Sequence, residues 1–260
     1  MRKRMSRTIL QLALTLLVAL TALPVRAEPP PRVHGNLIYP ARGNIQLDEG
    51  TLELYVISGF DSEEEWKQKS PYGTLFDLAF PDENWHYVLS FITWSHGISM
   101  VGYAQPQQSY VSFGRPRWKP GEHHVVAWTW SGRKRTLLVD GKRKYEGKHG
   151  VIGESVDVVV EGVIHGDLTK ATIMLGLGHS TFSLDELRIS AIARTPEDLA
   201  TLKDSAPTAD AYTLLLDHCD GGPAEVISGH SGETGGKLDG GYEIVAGRYG
   251  KAIQLWKETK

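Results

Sequence analysis

The chain is nearly devoid of cysteine: Cys219 is the single one in 260 residues. One thiol cannot close an internal disulfide even in an oxidising compartment, so stability has to come from packing. An apolar run long enough to cross a membrane is also missing. The longest, Ile9 to Leu20, is about a dozen residues against the ~20 that a spanning helix needs. Arg2, Lys3, Arg4 and Arg7 precede that run, and small residues follow it to Val25-Arg26-Ala27. This is the layout of a secretory signal peptide, residues 1–27, cut after Ala27. The expected location is therefore secreted, periplasmic or at the cell surface, with no membrane span once the signal is removed.

Positive charge is scarce. The whole chain is net −3, and without residues 1–27 its 23 basic side chains face 31 acidic ones, net −8. Phosphate binding draws on clustered Lys and Arg, so a nucleic-acid partner is excluded. Lys142 to Lys144 is the one dense basic run beside a turn, and it reads as a solvated sheet edge.

Repeats, low-complexity tracts and alternating helices are absent too. What is there is a series of short apolar alternations broken by 28 glycines and 13 prolines. In His123 to Trp130, residues His124, Val126, Trp128 and Trp130 fall on one face and His123, Val125, Ala127 and Thr129 on the other. Ser131-Gly132 and Asp140-Gly141 supply the positive φ angles of tight hairpins. Similar runs occupy 51–57, 73–80, 85–94, 98–104, 156–164, 172–178 and 184–190. In the third of these, Trp85, Tyr87, Leu89 and Phe91 share the core face. Many short strands with turns between them predict an all-β antiparallel sandwich. One short helix is predicted near 195–203, with Thr195 as N-cap, Pro196 at its first position and Glu197 and Asp198 in its first turn. Asp204 to Ala211 reads as a linker, followed by more strand in 212–256.

Gly121 to Gly132, GEHHVVAWTWSG, followed by Leu137 to Lys142, resembles the G-x-W-H-H-V-A-x-T-W-x-G and V-D-G strands of the laminin-G-like, concanavalin A-like lectin/glucanase superfamily. His123 stands in place of its tryptophan and Val125 in place of its second histidine. GNIQLDEGTLELYV (Gly43 to Val56) and LDELRISAIARTPEDL (Leu184 to Leu199) resemble two further signatures of that group. The resemblance implies a concanavalin A-like jelly roll over residues 28–260 and leaves activity open, because one fold hosts many functions. The strands that usually open such a domain resemble Tyr212 to Asp220 and Ala246 to Leu255, which here come last. They either fill the empty slots of the same sandwich, begin a truncated second repeat, or are donated to a neighbouring molecule.

The paired glutamates of β-glucan hydrolases, E-x-D-x-E on one strand face, are not found. Asp185 and Glu186 are adjacent, and strand alternation would place them on opposite faces. Glu63-Glu64-Glu65 reads as a solvated loop, and His86, Tyr103 and Arg115 have no spacing that marks a lyase site. His123 and His124 point opposite ways and cannot chelate together; His124 reads as structural. No cofactor is expected, with loop calcium through Asp82, Asn84 or Asp167 as the secondary reading. Carbohydrate binding needs exposed aromatic faces beside polar groups. Trp66, Trp94 and Trp118 lie in polar, turn-like surroundings and are the candidate platforms, while Trp85, Trp128 and Trp130 belong to the scaffold. The sequence thus leads to an exported, non-catalytic recognition domain for a glycan or polysaccharide. The alternatives are a sandwich that binds a protein partner at the cell envelope or, more remotely, a polysaccharide hydrolase or lyase.

Overall fold

The computed structural model describes residues 31–60, 73–82, 85–92, 97–104, 107–114, 117–142, 144–147, 150–154, 158–159, 164–176, 181–200, 204–221 and 236–259. Arg32–Thr259 form one compact unit. The all-β antiparallel sandwich expected from the residues is what the structure shows. In chain order the strands are β1 (Arg32–Pro40), β2 (Glu49–Ser58), β3 (Gly73–Phe80), β4 (Trp85–Ile92), β5 (Gly97–Ala104), β6 (Gln107–Gly114), β7 (His123–Ser131), β8 (Lys134–Val139), β9 (Lys144–Gly147), β10 (Gly150–Glu154), β11 (Val158–Val159), β12 (Thr172–Leu175) and β13 (Phe182–Ser190). A one-turn helix α1 (Pro196–Leu199) follows, then β14 (Thr213–Asp217), β15 (Lys237–Gly240), β16 (Glu243–Ala246), β17 (Lys251–Gln254) and β18 (Trp256–Glu258). One sheet runs β15-β1-β12-β3-β4-β5-β6, and the other β11-β8-β7-β2-β13-β17-β16.

The core between the sheets follows from the alternation. Val126, Trp128 and Trp130 of β7 face inward with Leu52, Leu54 and Val56 of β2 and meet Leu37, Tyr39, Phe76 and Leu78 from the opposite sheet. Trp128 stacks on Trp130 at 4.5 Å, and the Trp130 indole N–H donates to the Gln46 carbonyl at 3.0 Å. Gly50, opposite Trp130, has to be glycine because a Cβ there would overlap the indole ring. At the end of β8 both Asp140 (φ 53°) and Gly141 (φ 71°) are left-handed, the signature of a two-residue hairpin turn.

The last strands join both sheets. β14 pairs with Leu187–Ser190 and β17 with Ser183–Leu184, so the two lie end to end along the edge of β13 that β2 leaves open. Past Gln254 the chain changes sheet: Trp256–Glu258 pair with Arg32–His34 of β1. Leu255, at the corner between the sheets, is wholly buried, and so are Leu214, Leu215, Leu216 and Ile253.

Two sequence readings need correction. Residues 204–210 are not a slack linker: Pro207 is buried, the Thr208 carbonyl accepts from the Arg188 guanidinium at 3.0 Å, and Asp210 binds Arg194. Arg188, buried on β13, and Arg194, just past its end, hold this segment down. Strand β1, unread in a stretch broken by His34 and Gly35, forms because β12 and β15 hydrogen-bond to both of its edges. The predicted helix is present as Pro196–Leu199, with a reciprocal capping box between Thr195 and Asp198; residues 201–203 lie outside the described residues. Among the described residues, no helix is long and apolar enough to cross a membrane.

Candidate functional site

The outer face of the β7–β8 hairpin carries Thr129, Ser131, Lys134, Thr136 and Leu138, every second residue of each strand. Opposite them runs the segment after β13, Ala193 to Glu197, held over the sheet. The space between is a cleft of about 310 Å³ lined by these ten residues. Leu138, Ala193 and Pro196 supply its apolar lining. Four hydroxyl side chains, two cations and one carboxylate complete the lining. Leu199 anchors the wall by packing into a small outer cluster with Tyr55, Val125, Ala127 and Leu138.

Buried polar bonds fix the wall. The Thr51 hydroxyl donates to the Ile192 carbonyl at 2.7 Å and accepts from the Arg194 N–H at 2.8 Å, while Glu49 accepts from the Ala193 N–H at 3.1 Å. Beside them, Glu53 takes a two-point interaction from Arg188, at 2.8 and 2.7 Å, and lies 3.5 Å from Arg194 Nε. Burial disfavours the charged form of both groups. At Glu53 it leaves the pKa above its ordinary value, whereas at Arg188 the Glu53 charge and hydrogen bonds outweigh it and the pKa is raised. The bidentate geometry holds the pair ionised. Arg194 also binds Asp210; hydrogen bonds from Arg194, Tyr212 N–H and Thr213 hold that carboxyl below its ordinary value against the effect of burial.

A second cluster lies where the last strands meet β13. A bulge between Leu184 and Glu186 breaks the register with β2, so alternation does not hold across Asp185. The expectation that Asp185 and Glu186 point to opposite faces is therefore corrected: each reaches toward the tail. Asp185 accepts from the Arg248 N–H at 3.0 Å, and Glu186 meets His218 Nδ1 at 2.7 Å. Burial pushes Glu186 up to about 7; the His218 imidazole opposes that, and the Asp185 and Asp220 charges add to it. Asp217 reaches into the core, accepting from the Tyr39 hydroxyl and, at 2.7 Å, from the Cys219 N–H. Burial and the Asp217 charge push the Tyr39 hydroxyl far above its ordinary pKa. These carboxylates tie strands together, and among the described residues no three His, Cys, Asp or Glu converge as metal ligands.

Of the candidate sugar platforms, Trp66 and Trp94 lie outside the described residues. Trp118 is no open platform: it is 2% exposed, its ring stacked on His124 at 4.3 Å with a 4° interplanar angle. His124 is held in turn by Asp140 at 2.9 Å, which fits a structural role. Trp128 and Trp130 are core. Asp82 is bound by Lys170, and Asp167 accepts from the Thr169 N–H and hydroxyl. Asn84, Arg115 and Glu63 to Glu65 lie outside the described residues, as do the side chains of Trp85, His86 and Tyr103. The cleft escaped the sequence reading because hydroxyls on strands are ordinary and its two walls are about sixty residues apart. Its one readable signal was the cap, A-R-T-P-E-D, directly after a strand that ends in Arg188-Ile189-Ser190.

Neither a family model nor a curated protein matches the chain. Among solved structures it is similar to a putative carbohydrate binding protein from Bacteroides ovatus, with 14% identity, a TM-score of 0.47, and 87% of this chain and 60% of that one covered. It is also similar to domain 4 of AbnA, a GH43 extracellular arabinanase from Geobacillus stearothermophilus in complex with arabinotriose, at 17% identity and a TM-score of 0.44, covering 62% of this chain and 68% of that one. Mouse laminin alpha1 domains LG4-5 align at 15% identity and a TM-score of 0.42, over 72% of this chain and 46% of theirs. At these identities and scores none of them assigns a ligand to this chain.

Proposed function

We propose that the chain is an exported, non-catalytic recognition domain that binds a carbohydrate in the cleft between the β7–β8 hairpin and residues 193–197. The observation that carries this reading is the lining: hydroxyls and charges on strands and a capped turn, beside the apolar side chains of Leu138, Ala193 and Pro196. A sugar presents ring hydroxyls to the first and C–H faces to the second. The cleft is at the small end of the range for ligand sites, ~300–1,000 Å³, which suits a mono- or disaccharide unit. The roles of Glu53, Glu186 and Asp217 support a binding function over catalysis, since each carboxylate is engaged in a bond that holds the fold. Export rests on the signal-peptide layout of residues 1–27. A glycan array probed with the chain from residue 28 onward, with and without calcium, tests the proposal. Binding of a defined glycan class is expected, and an array without signal in both conditions would overturn it.

A further inference from the structure

We infer that the cleft selects an uncharged sugar with a methyl group in place of the hydroxymethyl, a 6-deoxyhexose. Its methyl lies against Leu138, Ala193 and Pro196, and its ring hydroxyls meet Thr129, Ser131 and Glu197. This rests on the proposed glycan-binding function and deepens it. The positive charge of the lining is already answered within the protein: Arg194 binds Asp210, lies 3.5 Å from Glu53 and donates to Ser190 Oγ at 3.1 Å, and Lys134 is engaged as well. The Glu197 carboxylate, by contrast, is exposed and has no side-chain partner among the described residues. A lining that offers a carboxylate and no spare cation repels uronates and sulfated sugars and accepts hydroxyl donors. The polar groups are also ordered along the hairpin. β7 and β8 pair Ser131 with Lys134 at the tip, Thr129 with Thr136 in the middle and Ala127 with Leu138 at the inner end. Ser131 is exposed, Thr129 is 6% exposed, and Leu138 is 1% exposed and part of the outer apolar cluster. The cleft therefore runs from a wet, hydroxyl-bearing end to an aliphatic one. The Thr129 and Ser131 hydroxyls have no hydrogen-bond partner among the described residues. Two residues apart on one strand face, they sit about 7 Å from each other, the scale of a pyranose with its hydroxyls. At the other end none of the ten lining residues is aromatic. A flat ring takes the broad C–H face of a hexose, whereas the small aliphatic surface of Leu138, Ala193 and Pro196 matches a methyl. A hydroxymethyl there would bring a hydroxyl that these side chains cannot pair, and an acetamido methyl would bring an amide with it.

The test measures affinity calorimetrically on the chain from residue 28 onward, with methyl glycosides in matched pairs: L-fucose against L-galactose, and L-rhamnose against L-mannose. The members of each pair differ only in the 6-hydroxyl, and methyl N-acetylglucosaminide supplies an acetamido methyl for comparison. In at least one pair the deoxy sugar should bind about tenfold or more tighter. Thr129→Val should weaken that sugar and its hydroxylated counterpart alike, about three- to tenfold, with an unchanged melting temperature. Ala193→Ser, which gives the aliphatic end a hydroxyl, should narrow the ratio between the two by about threefold or more. Equal affinities within both pairs overturn the inference and leave the glycan-binding function standing, as does tighter binding of the acetamido sugar than of either deoxy sugar. A deoxy preference indifferent to both variants overturns the placement in this cleft. Silence from every probe overturns the inference, and a silent array beside it overturns the glycan-binding function too.

Discussion

Deleting residues 205–260 should destroy the fold of everything before them. Leu214, Leu215, Leu216, Ile253 and Leu255 are each at most 2% exposed, and all but Leu216 belong to the core cluster between the sheets. Burying a Leu or Ile side chain contributes about 1.5–3 kcal/mol, so these five together account for about 8–15 kcal/mol, an upper estimate because unfolded chains already bury some surface. A domain's whole stability is about 5–15 kcal/mol. The deletion also uncovers Asp185 and Glu186 and leaves the outer edge of β13 without partners, an aggregation hazard. Expressed without its tail, the fragment should be insoluble or show no cooperative urea transition. A single change makes the argument quantitative: Leu215→Ala, at a wholly buried position, should cost about 2–5 kcal/mol. At about 2–4 °C per kcal/mol for a domain of this size, the melting temperature falls by about 4–20 °C. A soluble fragment ending at Asp204 that melts cooperatively at the intact chain's temperature would refute the reasoning outright.

Glu186 makes stability depend on pH in the sense opposite to ordinary acid denaturation. Its folded pKa is about 7 against an ordinary 4.5, so between those values the folded state binds more protons and stability falls as pH rises. The loss should be on the order of 1–3 kcal/mol, and melting curves from pH 4.5 to 8 should be flatter for Glu186→Gln; identical slopes would show that another group titrates. Glu53→Gln leaves Arg188 buried beside a neutral partner and should cost about 3–5 kcal/mol by urea unfolding, whereas Glu53→Leu combined with Arg188→Met should cost less. Equal losses in the single and double variants would contradict that account. Trp118→Ala should cost about 3–5 kcal/mol through its stack on His124; a stable variant with weakened glycan binding would restore the platform reading. Thr51→Val removes two of the three bonds that fix residues 192–194, and should lower stability by about 1–2 kcal/mol while raising the glycan off-rate. Unchanged binding kinetics would detach the cleft from its wall.

The sheet scaffold was legible where physics acts locally. In β7 and β8, alternation set the faces and Asp140-Gly141 set the turn, because side-chain period and φ preference are properties of neighbouring residues. Reading failed where distant segments decide. Asp185 was assigned a face by alternation, but a bulge in the pairing of β13 with β2 interrupts the register there, and its carboxylate meets the tail between the points where β14 and β17 join β13. Residues 204–210 have linker composition, yet the buried Arg188 of β13 and Arg194 in the turn after it claim their polar groups. Trp118 sits among prolines and charges that suggest exposure, while the ring that covers it, His124, is fixed by an aspartate sixteen residues further on. The cleft needed both kinds of information: its hydroxyl row is local, and its opposite wall is held by Thr51 and Glu53, far earlier in the chain.

The two polar clusters divide labour along the strand pair β2–β13. At one end, Asp185 and Glu186 bind the tail, so charge there closes the sandwich and contributes no residue to the cleft. At the other, Glu49 and Thr51 bind residues 192–194, and Glu53 holds Arg188 and Arg194, which in turn bind Thr208 and Asp210, so charge there shapes the cleft wall. Tyr55, the register partner of Glu186, packs with Leu199 in the outer cluster and contacts Tyr249 from the tail, with ring centroids 6.1 Å apart. Stability and the proposed binding cleft thus share a strand pair but draw on different side chains. For that reason a change in the cleft's hydroxyl row, such as Thr129→Val, is expected to leave the protein folded, whereas changes at Glu53 or Leu215 cannot leave the fold untouched.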